Sequence, residues 1–130
     1  MPLLKFEAFG TGDQTWLGSF RGVTSARTEV VDPTVGWLAG THYPNGYIPS
    51  GYPVAKVGAT LVPYVAGGSA GTGVLAGHIL TDQSVYGTAK LAVPLMDTGR
   101  VKVAKIAALP AQSAFAAPAA ASNATTIVYI

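Results

Sequence analysis

The sequence predicts a mainly β protein with one or two short helical pieces: a compact β-rich domain over residues 31–130, preceded by an extended N-terminal arm over residues 1–30. Three observations predict it. Gly and Pro, sixteen and nine of 130 residues, punctuate the chain throughout. Short β-branched and aromatic runs lie between them, the last being Thr126-Ile127-Val128-Tyr129-Ile130. No repeat recurs at a fixed period.

The first thirty residues read differently from the rest. Phe6, Phe9, Trp16, Leu17 and Phe20 are scattered among Gly10, Gly12, Gly18 and Gly22 with neither helical nor alternating spacing. Such a segment builds no core of its own, so its aromatics suggest anchors that dock elsewhere, as a strand-adding peptide does. An N-terminal strand of the domain's own sheet is the alternative.

From Val30 onward, short strands and turns follow one another. Tyr43-Pro44-Asn45-Gly46 is a turn. Residues 52–57 and 60–65 make a hairpin about Gly58, and Pro53 and Pro63 push both strands towards sheet edges. Residues 74–80 are an apolar strand whose single polar side chain is His78. Leu91, Val93 and Leu95 alternate with outward positions, as do Val101 and Val103 with Arg100 and Lys102, and Asp97-Thr98-Gly99 joins the two strands as a turn. The alanine-rich stretch 107–124 favours helix, which Pro110 and Pro118 restrict to a turn or two near residues 112–117. The chain then returns extended into the last strand.

Composition narrows the function. Charged residues are 11% of the chain, against about 25% in an average domain, while the hydrophobic set is 49%. A monomer with so few charges is poorly soluble at high concentration, and assembly or coating of a larger surface removes that difficulty. No charge follows Lys105, and the apolar block 126–130, left as an open edge, would invite uncontrolled pairing. The expectation is a strand paired in a sheet and covered by neighbouring subunits. The net charge of +2, with no Lys/Arg cluster beyond Arg100, Lys102 and Lys105, argues against nucleic acid as a partner. Those three read as a solvated strand face.

With no cysteine, disulfides and thiolate metal sites are impossible. The opening Met-Pro-Leu-Leu-Lys-Phe-Glu lacks the basic and apolar regions of a signal peptide, and no unbroken apolar run reaches the ~20 residues of a membrane span. No membrane partner is expected, and Asn123-Ala124-Thr125 reads as a chance sequon.

Catalytic motifs fare poorly. Gly67-Gly68-Ser69-Ala70-Gly71 fits the G-x-S-x-G nucleophile elbow, but no histidine follows His78 to complete the order serine, acid, histidine. A flexible glycine loop is the better reading. The same run has no Gly-Lys and so makes no P-loop. His42 and His78 share no ligand spacing with Asp32 or Asp82, so no metal is expected; they read as a loop histidine and a half-buried strand histidine. The six carboxylates are dispersed, and Glu29 and Asp32 read as turn residues before Pro33. Trp37, Tyr43, Tyr47 and Tyr52 gather about a loop, as a ligand platform or, better, as an interface patch, since aromatics with few charges typify interface cores.

The order of features from the Pro-Asn-Gly turn onward resembles a known family. The resembling parts are Gly46-Tyr47-Ile48-Pro49-Ser50-Gly51-Tyr52-Pro53-Val54, the glycine loop leading into Gly73-Val74-Leu75-Ala76-Gly77, the strand pair about Thr98-Gly99-Arg100, Leu109-Pro110 with its alanine-rich sequel, and Ala124-Thr125-Thr126-Ile127-Val128. Over about residues 30–130 this resembles the lambda-type head-decoration proteins of tailed phages. Order and spacing carry the likeness; each motif alone is weak.

The resemblance implies a homotrimer on the outer surface of the capsid, at three-fold and quasi-three-fold positions, stabilising the shell against internal DNA pressure. It implies the major capsid protein as partner, no catalytic site, no cofactor, and synthesis in the host cytoplasm before incorporation into the virion. Phe6, Phe9, Trp16, Leu17 and Phe20 would form a capsid-binding arm, and Trp37, Tyr47, Tyr52, Ile127, Tyr129 and Ile130 the subunit interface. The family resemblance has a departure here, the lambda arm being more polar, so with the aromatics Phe6, Phe9, Trp16 and Phe20 docking on capsid, on the next trimer or within its own domain all stay open. Another virion component, such as a tail-tube or fibre-base module, is the second function class. A small ligand-binding or hydrolytic domain built on the glycine loop is the third.

Overall fold

Five strands close into a barrel in the order β1-β4-β3-β5-β7, with β7 returning to pair with β1. A computed structural model describes residues 15–18, 26–65, 68, 71–113, 115–119 and 122–130. The barrel strands are β1 (Arg27–Val31), β3 (Pro53–Val57), β4 (Thr60–Pro63), β5 (Gly77–Ile79) and β7 (Leu91–Met96). All their pairings are antiparallel except the short β1–β4 contact at Val31 and Leu61. The chain is mainly β, with two short helices, α1 (Ala39–His42) and α2 (Val103–Ala107). β2 (Tyr47–Ile48) and β6 (Gln83–Ser84) form a small separate pair.

Alternation divides the side chains between two cores. Inside the barrel, Val31, Val54, Leu61, Ile79, Val93 and Leu95 meet, joined by Trp37, Ile48 and Tyr52. Full burial of an aliphatic side chain contributes roughly 1.5–3 kcal/mol. The next residues along β5 and β7 point the other way. Leu80 and Met96 enter a second core outside the barrel wall, with Trp16, Tyr64, Leu75, Val101, Ile106, Phe115 and Ile127. That outer layer is closed by β8 (Thr98–Val101) and β9 (Thr126–Tyr129), which pair in parallel.

Several expected elements stand. The hairpin about Gly58 is β3–β4, with Val57 opposite Thr60. Gly46, at φ +83°, donates its N–H to Tyr43 O in the expected turn.

Other expectations are corrected. Pro53 and Pro63 do not mark sheet edges: they occupy the first position of β3 and the last of β4, at the end of the barrel ladder, where Gln112 Nε2 donates to Tyr64 O in place of the N–H that Pro53 lacks. Asp97 is a corner between sheets instead of a hairpin turn, because β8 leaves the barrel to pair with β9. The strand ends at Val101, Lys102 is the N-cap of α2 and Val103 begins the helix; two alternating valines fix no period, and Ala104, Lys105 and Ala107 favour helix. No helix forms among the described residues of 112–117. Two tight turns replace it, from Gln112 N to Leu109 O and from Phe115 N to Gln112 O.

Smaller departures have local causes. His42 closes α1 instead of standing in a loop, and its Nδ1 accepts the Leu38 N–H at 2.9 Å. His78 is fully buried, not half-buried. Glu29 lies in β1 and pairs with Arg27 at 2.9 Å and Lys56 at 3.2 Å, while Asp32 alone shapes the turn by accepting the Thr34 N–H and O–H.

Candidate interaction surface on the last strand

β8 lies between β9 and the short segment 16–18, which it pairs with on its other side. Leu17 bridges Val101 in antiparallel sense, Gly18 N donates to Arg100 O and Lys102 N to Trp16 O, both at 2.8 Å. On the β9 side, Thr126 N donates to Asp97 O and Ile130 N to Val101 O. Peptide groups alternate sides along a strand, so those of Ile127 and Tyr129 face away from β8. Among the described residues no strand pairs with that edge.

The side chains sort equally cleanly. Ile127 is buried, at 7% exposure, and Tyr129 turns inward, whereas Val128 and Ile130 stand outward at 53% and 57%. Among the described residues β9 therefore offers a partner a strand-free edge, on which the Ile127 N–H is met by Thr125 Oγ1 at 3.3 Å, flanked by two aliphatic side chains. No charge stands on the strand to oppose pairing. Arg100, opposite Val128 on β8, is exposed beside them.

Beneath this sheet lies a buried polar and aromatic cluster centred on His78. Its Nδ1 is 2.9 Å from Gly51 O, and its Nε2 is 2.8 Å from the Tyr129 hydroxyl. A carbonyl only accepts, so Nδ1 carries the proton and Nε2 accepts the Tyr129 O–H. The indole of Trp16 stacks on the imidazole at 5.7 Å and 30°, and Phe115 meets it edge-on at 5.9 Å. Burial pushes the imidazole pKa down to about 4, against a smaller opposing effect of the Gly51 bond. Burial likewise pushes the Tyr129 phenol up, Thr125 pulling it back and Tyr64 adding to the rise.

Ser50 is the adjoining hub. Its hydroxyl accepts from Trp16 Nε1 at 3.0 Å and donates to Leu80 O at 2.7 Å, while its N–H donates to Asp82 Oδ1 at 2.7 Å. Beside it a cleft of about 480 Å3 opens between Tyr47, Asn45, Asp82 and Lys105. Among the described residues the charged groups on its walls are the Asp82 carboxylate and the Lys105 ammonium. Among the described residues no three His, Asp or Glu side chains come together as a metal site, and no helix is long and apolar enough to cross a membrane.

The expected site residues are dispersed. Trp16 and Leu17 join Ile127 and Tyr129 at the outer core, so of the alternatives open for the arm these two pack within their own domain. Trp37 and Tyr52 lie instead inside the barrel, their rings 5.5 Å apart. Trp16, Trp37 and Tyr52 are 2%, 4% and 0% exposed and give a partner no ring surface, a correction to reading them as contact residues. Burial wins because each polar atom finds an internal acceptor: Ser50 Oγ, Leu61 O and Pro110 O respectively. Tyr47 is half-buried on the cleft, and Ile130 is exposed. Phe6, Phe9 and Phe20 lie outside the described residues, as does the serine of the glycine run.

Sequence reasoning missed Val128, Ser50, Gln112 and Phe115 as site residues. Strict alternation from Ile127 would have put Val128 outward; a lone serine or glutamine carries no comparable signal.

No family model, no curated protein and no solved structure matches the chain.

Proposed function

We propose that the chain is a structural virion protein that binds the outer surface of a phage capsid as trimers, at three-fold and quasi-three-fold positions, and stabilises the shell against internal DNA pressure. The observation that carries the reading is β9, an uncharged strand with no partner strand on its outer edge among the described residues and two outward aliphatic side chains. A protein working alone protects such an edge with charge, proline or a covering element; one that works assembled covers it with its neighbours. The sparse charge supports the same reading, and the phage partner itself comes from the family resemblance.

The role is passive and includes no catalytic step. At roughly 25 cal/mol per Å2, an apolar contact of about 800 Å2 per partner has a gross worth of about 20 kcal/mol. Much of that is offset by association entropy and side-chain ordering. Repetition over a shell makes the remainder collective.

The test is solution mass, alone and after mixing with emptied, expanded capsids. A trimer, or a monomer that adds to shells in multiples of three, supports the proposal. A stable monomer that ignores capsids overturns it, and open rings or tubes would move the assignment to a tail component. A truncation testing the arm should remove residues 1–13 only, since Trp16 belongs to the outer core. Undiminished capsid binding by that truncation would exclude the arm as the attachment.

A further inference from the structure

We propose that His78 is an acid-operated latch for the outer layer: charging it releases residues 16–18 and β9 from the barrel, while the barrel's own interior stays packed. The proposal is independent of what the chain assembles with.

The geometry sets up this separation. His78 and Ile79 are neighbours on β5 that point to opposite sides of the barrel wall, Ile79 into the barrel core and His78 into the outer layer. The imidazole is covered by Trp16, from the segment paired with β8, by Tyr129 of β9, and by Phe115. Two of these three covers belong to the outer sheet. Its flanking residues on β3 and β7, Pro53 and Met96, are held in the barrel ladders. Water therefore reaches the ring most cheaply by lifting the outer sheet.

The surroundings offer an imidazolium little. From β9 the titratable group facing it is the Tyr129 phenol, and Tyr64, at the end of β4, reaches the cluster through Phe115. From the segment before β3 comes the Gly51 carbonyl, already in use. Neither Phe115 nor Trp16 titrates. Asp82 enters this side as the acceptor of the Ser50 N–H, and among the described residues no carboxylate bonds to the ring. The phenol can rotate to accept from a protonated Nε2, so that hydrogen bond alone does not decide the outcome. Desolvation does, and cation–π attraction from the stacked indole offsets only part of it.

The test follows amide exchange in the full chain, 15N-labelled, from pH 7 to pH 3, alongside the ring nitrogens of His78. Gly18, Lys102 and Ile130 report the outer sheet; Ala76, Ile79 and Tyr64 report the barrel wall. The expected result is a tenfold or greater loss of protection at the first three, at the pH where His78 charges, with the other three unchanged. Simultaneous loss at both sets overturns the latch, as does His78 charging with the outer sheet still protected. Asp97 is the competing acid group, because it pairs with Arg27 at the β7–β8 corner. The transition must persist in Asp97→Asn and vanish in His78→Gln; the reverse pattern assigns it to the corner. Should His78→Gln fail to fold, the wild-type exchange profile and Asp97→Asn still decide.

Discussion

Trp16 lies so close against Gly51 that a Cβ on the glycine would stand 2.7 Å from the indole nitrogen. The glycine is also at φ +90°, where an L side chain is strained. One residue thus admits the ring that seals the outer core and, through its carbonyl, orients His78. Gly51→Ala should lower stability by about 2–3 kcal/mol, from left-handed strain plus displacement of the ring. A urea titration gives the loss, and the Trp16 indole N–H resonance should shift. An unchanged midpoint would mean that the ring does not sit there.

Ser50→Ala leaves the buried Trp16 N–H without its acceptor and removes the hydroxyl's bond to Leu80 O. The expected cost is about 1–3 kcal/mol. A double-mutant cycle with Trp16→Phe should return a coupling of about 1 kcal/mol, because the phenylalanine has no N–H to lose.

Stability should fall with acid before the carboxylates titrate. The folded His78 pKa, about 4, lies below its ordinary 6.5. Between those values the unfolded chain takes up a proton that the folded chain refuses. This contribution is therefore complete above pH 6.5 and declines to a floor near pH 4, a loss of roughly 3 kcal/mol. His42, lowered by burial, acts with the same sign. Asp32, lowered by its bonds from Thr34, loses its contribution only at more acid pH. Urea midpoints from pH 7 to 4.5 should slope in the wild type and much less in His78→Gln.

Ala111 stands at φ +62°, the only non-glycine with positive φ among the described residues. The turn it makes lets Gln112 Nε2 donate to Tyr64 O at 3.1 Å and Tyr52 Oη at 3.4 Å. Ala111→Gly should raise stability by about 0.5 kcal/mol, relief of strain exceeding the added freedom of the unfolded chain. A thermal melt up by a degree or two is the measure; a fall would show the strain to be absent.

Val128→Lys combined with Ile130→Lys should leave the urea midpoint within about 0.5 kcal/mol, since both side chains are exposed. The same pair should abolish self-association and capsid binding, read as solution mass. Retained assembly would move the contact away from β9.

The barrel was legible where pattern and turn chemistry agree. Gly58 fixed the β3–β4 hairpin, and the spacing of Val93 and Leu95 fixed the inward face of β7. The outer layer was not. β8 pairs in parallel with a strand on the far side of α2 and the alanine-rich stretch, and no local signal announces a partner that distant. Trp16, Trp37 and Tyr52 looked like contact residues because aromatics with few charges around them suit an interface and a core equally. What separates the two is whether the N–H or O–H finds an internal acceptor, and those acceptors come from 24 to 58 residues away. His78 was visible as the single polar residue of an apolar run, but its pairing with Tyr129 depends on that same parallel pairing.

The bridge from Leu17 to Val101 also orders events in time. Residues 16–18 are made early, yet their partner strand is made only after the whole barrel has been translated. β8 in turn needs β9 for its other side. Contacts between such distant segments form late, because a long loop must close before they stabilise anything. On the ribosome the Trp16 ring must therefore wait unsheltered while the barrel folds, and a chaperone or an early partner would find it there.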